Sequence, residues 1–237
     1  MDLEAKQQLE AQRIVAEYAR RDRELPDDFY ALHRPANLYI FQGHERAVLW
    51  GLQTAELAPL NGCRVLDVGC GYGEWLGVFE RFGASREMLA GIDLTESRVA
   101  VARTAFPDAD VRQGDASALP WDDHTFDVVF QRTIVSSILD AAVRQQVAGE
   151  MLRVLRPGGA ILWLEFSYNN PRNPNVCGIG SKELRRLFPQ CRITSRRVTL
   201  APPLARRLAP ISWTLAQVLE SLRVLNTHYL AVIQRRS

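Results

Sequence analysis

Cysteine is scarce in this chain: four residues in 237, namely Cys63, Cys70, Cys177 and Cys191. They lie far apart with no CxxC pair, which excludes the usual zinc and thiol–disulfide motifs. Such sparse use fits a reducing compartment, where free cysteine serves as a small apolar residue. Net charge is equally sparse. Lys and Arg outnumber Asp and Glu by 29 to 27, so the totals carry no polyanion-binding signature and no nucleic-acid partner is expected. No uninterrupted apolar run reaches the ~18–20 residues of a spanning helix. The opening stretch MDLEAKQQLEAQRIVAEYARRDRE also lacks the basic-then-apolar layout of a signal peptide. A cytoplasmic location is the expectation. What the chain does have, 47% hydrophobic and 24% charged residues, is enough to bury one large α/β core.

Periodicity divides the chain into three parts: helical residues 1–60, a core at 63–165 and later segments at 166–237. To about Glu24 the spacing predicts an amphipathic helix with Leu3, Leu9, Ile14, Val15 and Tyr18 on one face. Pro26 ends it, a loop with Pro35 follows, and a second helix is expected from about Phe41 to Leu57. Neither helix has a place in a sheet. They are expected to lie over the site as a lid, with simple packing on the core as the alternative. From Cys63 short apolar runs alternate with helices: strands at 64–69, 88–93, 109–113, 126–131 and 159–165, helices near 75–82, 97–106 and 141–155. That alternation implies parallel strands joined by right-handed crossovers in a doubly wound sheet. Beyond Glu165 the spacing predicts an Asn/Pro loop from Tyr168 to Pro174 and a helix capped by Ser181. A strand from Cys191 to Leu200, one long helix from about Pro203 to Leu222 and a last strand from Thr227 to Gln234 complete the expected order.

The densest local signal is Val65-Leu66-Asp67-Val68-Gly69-Cys70-Gly71-Tyr72-Gly73-Glu74-Trp75. A buried strand that runs through closely spaced glycines into a helix lets a ligand approach the backbone where a side chain would collide. The spacing is GxGxG, not the GxGxxG of dinucleotide binders, which disfavours a nicotinamide oxidoreductase. This stretch resembles motif I of the class I, Rossmann-like S-adenosylmethionine-dependent methyltransferases. The resemblance extends from about Val65 to Glu165 and implies a seven-stranded, mostly parallel sheet with an antiparallel last strand. It also implies S-adenosylmethionine as cofactor and S-adenosylhomocysteine as product. Gly69, Cys70 and Gly71 would pass beneath the amino-acid end and ribose, with Asp67 on the amino group. Asp93, at the tip of the second strand, would accept from the ribose hydroxyls and Leu94 would pack on adenine; helix capping is the alternative for Asp93. Asp115 and Ala116 match the adenine-binding segment. Leu155-Arg156-Pro157-Gly158-Gly159 matches a turn with a structural role only.

In that family the residues after the fourth strand, here Gln131, Arg132, Thr133 and Ile134, face the transferred methyl, and Gln131 is taken as a cofactor residue. Phe130-Gln131-Arg132-Thr133 departs from the Asn/Asp-Pro-Pro-aromatic motif of enzymes that methylate exocyclic or amide nitrogens. The candidate bases are Glu165, Tyr168 and His33, with His44 and His228 behind them. Arg46 is a candidate partner of the cofactor carboxylate, because a guanidinium binds a carboxylate bidentately. The expected reaction is methylation of a small molecule or a glycan, on oxygen. An insertion, Ala201–Pro210 followed by an apolar helix, stands between the last two strands. The insertion is expected to be a core-packing helix with a solvated basic end; contact of Arg206 and Arg207 with an anionic lipid or lipid-linked glycan is the alternative. Methylation of RNA or protein, through an arginine patch at Arg185, Arg186, Arg192, Arg196 and Arg197, is the first alternative. A non-catalytic binding protein on the same fold is the second.

Overall fold

The computed structural model describes residues 2–26, 28–169 and 173–236. Residues 170–172 of the expected Asn/Pro loop lie outside the described residues. Seven strands form one sheet: β1 (Val65–Val68), β2 (Leu89–Asp93), β3 (Asp110–Gln113), β4 (Phe126–Arg132), β5 (Leu155–Phe166), β6 (Cys191–Leu200) and β7 (Asn226–Arg235). Their order is β3-β2-β1-β4-β5-β7-β6. The first five strands pair in parallel, and β7 runs antiparallel to both β5 and β6. The fold is therefore the expected Rossmann-like one. Its strand order reverses between β1 and β4, where open α/β sheets open a crevice beyond the carboxyl ends of their strands.

Both faces of the sheet are covered, so strand residues are buried in alternation on each side. One layer packs Leu66, Ile92, Val129 and Trp163 against α5 (Ala141–Val154) and α6 (Ser181–Leu187). The other packs Val65, Val128, Phe130 and Leu162 against α2 (Pro35–Thr54), α3 (Glu74–Arg81) and α4 (Glu96–Ala105). A third, smaller cluster joins α2 to the insertion, which folds as α7 (Pro202–Leu208) and α8 (Trp213–Ser221).

Four local expectations are corrected. The second helix starts at Pro35, six residues early, because proline at the first helical position lacks only an N–H that has no partner there. Ser181 is the first helical residue, and Gly180 occupies the cap. The long helix of the insertion is broken into two around Pro210, and Ser212 caps the second with its hydroxyl on Leu215 N (3.2 Å). Helix α1 (Leu3–Glu24) buries no residue. Leu3, Leu9 and Val15 are exposed, and the face turned inward carries Gln7, Glu10, Ala11, Ile14, Tyr18 and Arg21.

The Pro157-Gly158-Gly159 turn lies inside β5, at the point where its register with β4 shifts. A Cβ on Gly159 would stand 2.6 Å from the carbonyl oxygen of Asp127. Backbone cannot step aside as a side chain tip can. Gly159→Ala is expected to destabilise the protein by roughly 1–3 kcal/mol, the usual cost of overpacking, read as a lower denaturant midpoint at unchanged slope.

Candidate active site

A cavity of about 490 Å³ opens at the carboxyl ends of β1, β2 and β4. Its floor is the turn between β1 and α3. Gly69, Gly71 and Gly73 all take positive φ, at 78°, 52° and 84°, a region that favours glycine. At Gly69 a Cβ would also lie 2.2 Å from Ile134 Cγ2, whereas at Gly71 it would meet nothing within 4 Å. The N–H groups of Gly69 and Cys70 donate to the Ile92 carbonyl at 2.8 and 3.0 Å. Gly71 N donates to Asp93 Oδ2 at 3.1 Å. The turn is thus held from behind by β2, and its open side faces the cavity.

The acidic residues of the sequence pattern line this space, each with different partners. Asp93 is anchored by two backbone donors, Gly71 N and, on Oδ1, Thr95 N at 2.9 Å. The second bond closes a turn just ahead of α4, whose cap residue is Thr95 and carries no side-chain cap bond, so Asp93 lines the cavity without capping that helix. Asp115 accepts from Ser117 N at 2.8 Å, and Leu94, Ala116 and Cys70 complete the wall. Asp67 is buried, and its Oδ2 has no hydrogen-bond partner among the described residues. Burial pushes its carboxyl up to about 7; Arg132 opposes that shift, and Asp93 and Glu74 add to it. An unpaired carboxylate oxygen beside a glycine cradle suits a ligand that brings an ammonium group and needs backbone access.

The opposite wall is apolar and aromatic, with Ile14, Tyr18, Ile40, Phe41 and Trp75. His44, on α2, is buried and neither ring nitrogen has a partner among the described residues. The His228 ring stands 5.5 Å from it, centroid to centroid. Burial holds both imidazoles neutral, His44 well below its ordinary range and His228 down to about 4, with Arg132 acting in the same direction. Arg132 lies over the Trp75 ring and 3.8 Å from Glu74 Oε2. Next to it Thr133 has φ 55°, a costly conformation for a β-branched residue and one that clusters at functional sites.

Several candidate residues fall elsewhere. Gln131 is fully buried and accepts from Ile134 N at 3.2 Å; it braces the segment after β4 and is not part of the cavity wall. Glu165 is also fully buried and off the wall, its oxygens taken by Ser136 N at 3.0 Å and Phe166 N at 3.3 Å. Burial pushes its carboxyl up to about 8 against those donors. Tyr168 is exposed and bonded to Arg197, and His33 is a surface residue 3.5 Å from Asp28. Arg46 lines a second cleft behind α2. Among the described residues no group of three or more His, Cys, Asp or Glu is placed to hold a metal ion. The signal for the histidines was present as residue type alone: nothing in their spacing brings position 44 to position 228.

Residues 65–159 match the family model described as a methyltransferase domain. Over 127 residues the chain is 36% identical to the ubiquinone/menaquinone biosynthesis C-methyltransferase UbiE of Idiomarina loihiensis, covering 50% of this chain and 49% of that protein. Demethylmenaquinone methyltransferase of Shouchella clausii is 39% identical over 112 residues, covering 45% of this chain and 46% of that one. The chain spans about half the length of the curated relatives it matches. In structure it resembles the S-adenosylmethionine-dependent methyltransferase from Mesorhizobium loti, with TM-score 0.58, 19% identity, and 79% of this chain and 97% of that one covered. The [4+2]-cyclase SpnF shares the fold to a similar degree, at TM-score 0.59, 19% identity and 81% of each chain.

The sheet and its glycine turn therefore define a Rossmann-like methyltransferase fold of class I. Residues 65–159 thus carry the match to a methyltransferase domain, and S-adenosylmethionine is the cofactor that this match and the structural neighbours indicate.

The protonation of the two buried carboxyls is separable by experiment. An ammonium-bearing ligand selects ionised Asp67, so affinity for S-adenosylhomocysteine should fall by up to ~10-fold per pH unit below pH 7. Asp67→Asn should bind weakly with no such slope; an equal slope in wild type and variant would assign it to another group. Glu165 has a folded value above its unfolded one, so its contribution to stability is full in acid. It is lost as pH rises from 4.5 to about 8. Glu165→Gln should remove that loss, up to ~1.4 kcal/mol per pH unit, in pH-dependent denaturation, and leave cofactor affinity unchanged.

Proposed function

We propose that the protein transfers the methyl group of S-adenosylmethionine to a small, largely apolar acceptor carrying an acidic ring hydroxyl, of the phenol, enol or quinol kind. The observation that carries this reading is the division of one cavity into two chemically distinct ends. At one end Gly69, Gly71, Asp67 and Asp93 offer a backbone cradle and carboxylates; at the other His44, His228 and Arg132 stand among aromatic side chains. Asp67 would hold the amino group, Asp93 the ribose hydroxyls, and Leu94, Asp115 and Ala116 the adenine. The cofactor supplies an electrophilic methyl on a sulfonium, so the protein's work is to orient an acceptor and manage its proton, and orientation alone can supply ~7–11 kcal/mol.

Arg132 is placed to stabilise a ring oxygen that loses its proton. His44, neutral and unpaired, can accept that proton at a ring nitrogen, with His228 beside it. The ionised hydroxyl then receives the methyl itself or activates the adjacent ring carbon to receive it; the C–S bond breaks to release S-adenosylhomocysteine, and a methylated ring carbon gives up its proton as the ring hydroxyl is restored. The names of the curated relatives, quinone-pathway C-methyltransferases, support the ring-hydroxyl class. A sugar or glycan acceptor has less support, because Ile14, Ile40, Phe41 and Trp75 offer it few hydrogen bonds. A macromolecular acceptor has less again, since α1 lies across the cavity.

Helix α1 serves as the lid in this reading. Arg98 of α4 reaches back between the rings of Tyr18 and Tyr72, 4.5 and 5.5 Å from their centroids, and pairs with Asp22 at 3.1 Å. At its other end Lys6 pairs with Asp140 at 3.1 Å, and Glu10 accepts from Leu139 N and Asp140 N, each at 3.2 Å. Such surface pairs hold about 0–1 kcal/mol each, which a lid needs in order to open.

Calorimetry with S-adenosylhomocysteine should give micromolar binding, with NAD as a silent control; no binding would overturn the cofactor assignment. A screen of phenols and quinols with radiolabelled methyl donor should then yield turnover that O-blocked analogues lack. His44→Gln should lower kcat by roughly 10²-fold or more at unchanged cofactor affinity. Full turnover in that variant would remove His44 from the chemistry.

A further inference from the structure

The insertion between β6 and β7 presents an apolar surface that nothing in the chain covers. Leu215, Val218 and Leu222 follow one another at helical spacing along the outer face of α8, and all are exposed. Ile211 before the helix and Val224 after it are 81% and 71% exposed. The inner side of the same helix is packed: Ala216 is buried, and the partly buried Leu219 and Trp213 join the cluster formed with α2 and α7. The outer side chains are therefore not core residues displaced from a poorly packed helix. Five large apolar groups exposed within fourteen residues concentrate apolar surface on this insertion, the pattern that marks an interaction surface.

The charge near this patch is mainly positive. Between residues 202 and 225 the ionisable residues are Arg206, Arg207, Arg223 and Glu220, and Glu220 turns inward to accept from the Tyr39 hydroxyl. Behind α8 lies a cleft of about 430 Å³ bordered by Arg46, Arg196, Arg197, Arg223, Glu220 and Asn226. None of these four arginines forms an ion pair with a carboxylate among the described residues, and Arg197 is bonded to the Tyr168 hydroxyl. The Arg196 guanidinium lies over the Trp50 ring, 5.8 Å from its centroid, a contact with the ring face that uses none of its N–H donors in a hydrogen bond. Asn226 is buried, gives its amide N–H to the Glu220 carbonyl at 3.0 Å, and keeps an unpartnered Oδ1. Pro202 and Arg206 of the same insertion also line the cavity of the glycine turn.

We propose that the α7–α8 insertion docks on the surface of an anionic lipid bilayer, with Ile211, Leu215, Val218, Leu222 and Val224 entering the headgroup layer and the arginine cleft taking lipid phosphate. The two observations are independent and complementary: an exposed apolar helix face is what an interface buries, and guanidinium groups recognise phosphate oxygens. No membrane span is needed, and among the described residues no helix is long and apolar enough to form one. The inference stands on the surface alone and does not rest on the proposed transfer reaction. If both hold, the insertion sets the cavity beside the layer from which an apolar acceptor would come.

The test is co-sedimentation of the full chain with phosphatidylcholine vesicles, with and without phosphatidylglycerol. Binding should require phosphatidylglycerol and weaken as salt rises. The triple variant Ile211→Ser, Leu222→Ser and Val224→Ser changes only exposed side chains, so it should keep its melting temperature and lose vesicle affinity by about tenfold or more. Arg196→Gln with Arg223→Gln should lose the preference for phosphatidylglycerol. Vesicle binding by the triple variant equal to wild type would overturn the proposal. So would glycerol phosphate or inorganic phosphate binding in the cleft without vesicle binding, which would assign it to a soluble phosphate ester. A wild-type dimer that the triple variant turns into a monomer, seen by sedimentation velocity, would assign the face to a second copy of the chain.

Discussion

The structure depends on how closely one turn approaches its neighbouring strand. Between β1 and α3 the chain must reverse within a few residues while Gly69 and Cys70 both donate to the carbonyl of Ile92. Only residues that accept positive φ can make that turn, and at Gly69 even a methyl would collide with Ile134. Because the turn is tied from behind, its cavity side is bare backbone held in one shape. Asp93 takes its orientation from the same tie, since the carboxylate that faces the cavity also receives Gly71 N. The position of the cofactor end is therefore a property of main-chain hydrogen bonding and is insulated from changes on the far wall.

Two buried carboxyls at the ends of β1 and β5 show how local partners decide what such a group can do. Both are forced toward the neutral form by burial. Glu165 has its oxygens satisfied by the amides of Ser136 and Phe166, so it fixes the segment after β4 and offers nothing to a ligand. Asp67 lacks that satisfaction at Oδ2 and faces the cavity. A displaced titration range accompanies either role. Geometry separates them.

Legibility in the sequence followed the range of the interactions involved. The glycine turn, Asp93 and Asp115 were readable because strand, turn and side chain lie within a few residues and the tie to β2 is fixed by parallel pairing. The parallel sense of the first strands came from the alternation of short apolar runs with helices, and the antiparallel last strand from the family resemblance. Arg46, His33 and Tyr168 were misplaced because their position depends on which way a helix or loop is rotated over the sheet, and apolar spacing does not encode that. Helix α1 illustrates the point: its inward face includes Gln7, Glu10 and Arg21, so the apolar stripe was a poor guide to orientation. His44 and His228 meet only because β7 inserts between β5 and β6 and α2 packs across it.

Helix α1 contributes no buried side chain, yet it supplies much of one wall of the cavity. Substitutions along its inner face can reshape the space offered to an acceptor without opening a hole in either hydrophobic layer. Under the proposed function, selection could then retune the acceptor through a segment whose drift leaves the sheet folded and the glycine turn intact. In a fold this widely shared, such a division is a physical route by which new substrate ranges arise from one unchanged scaffold.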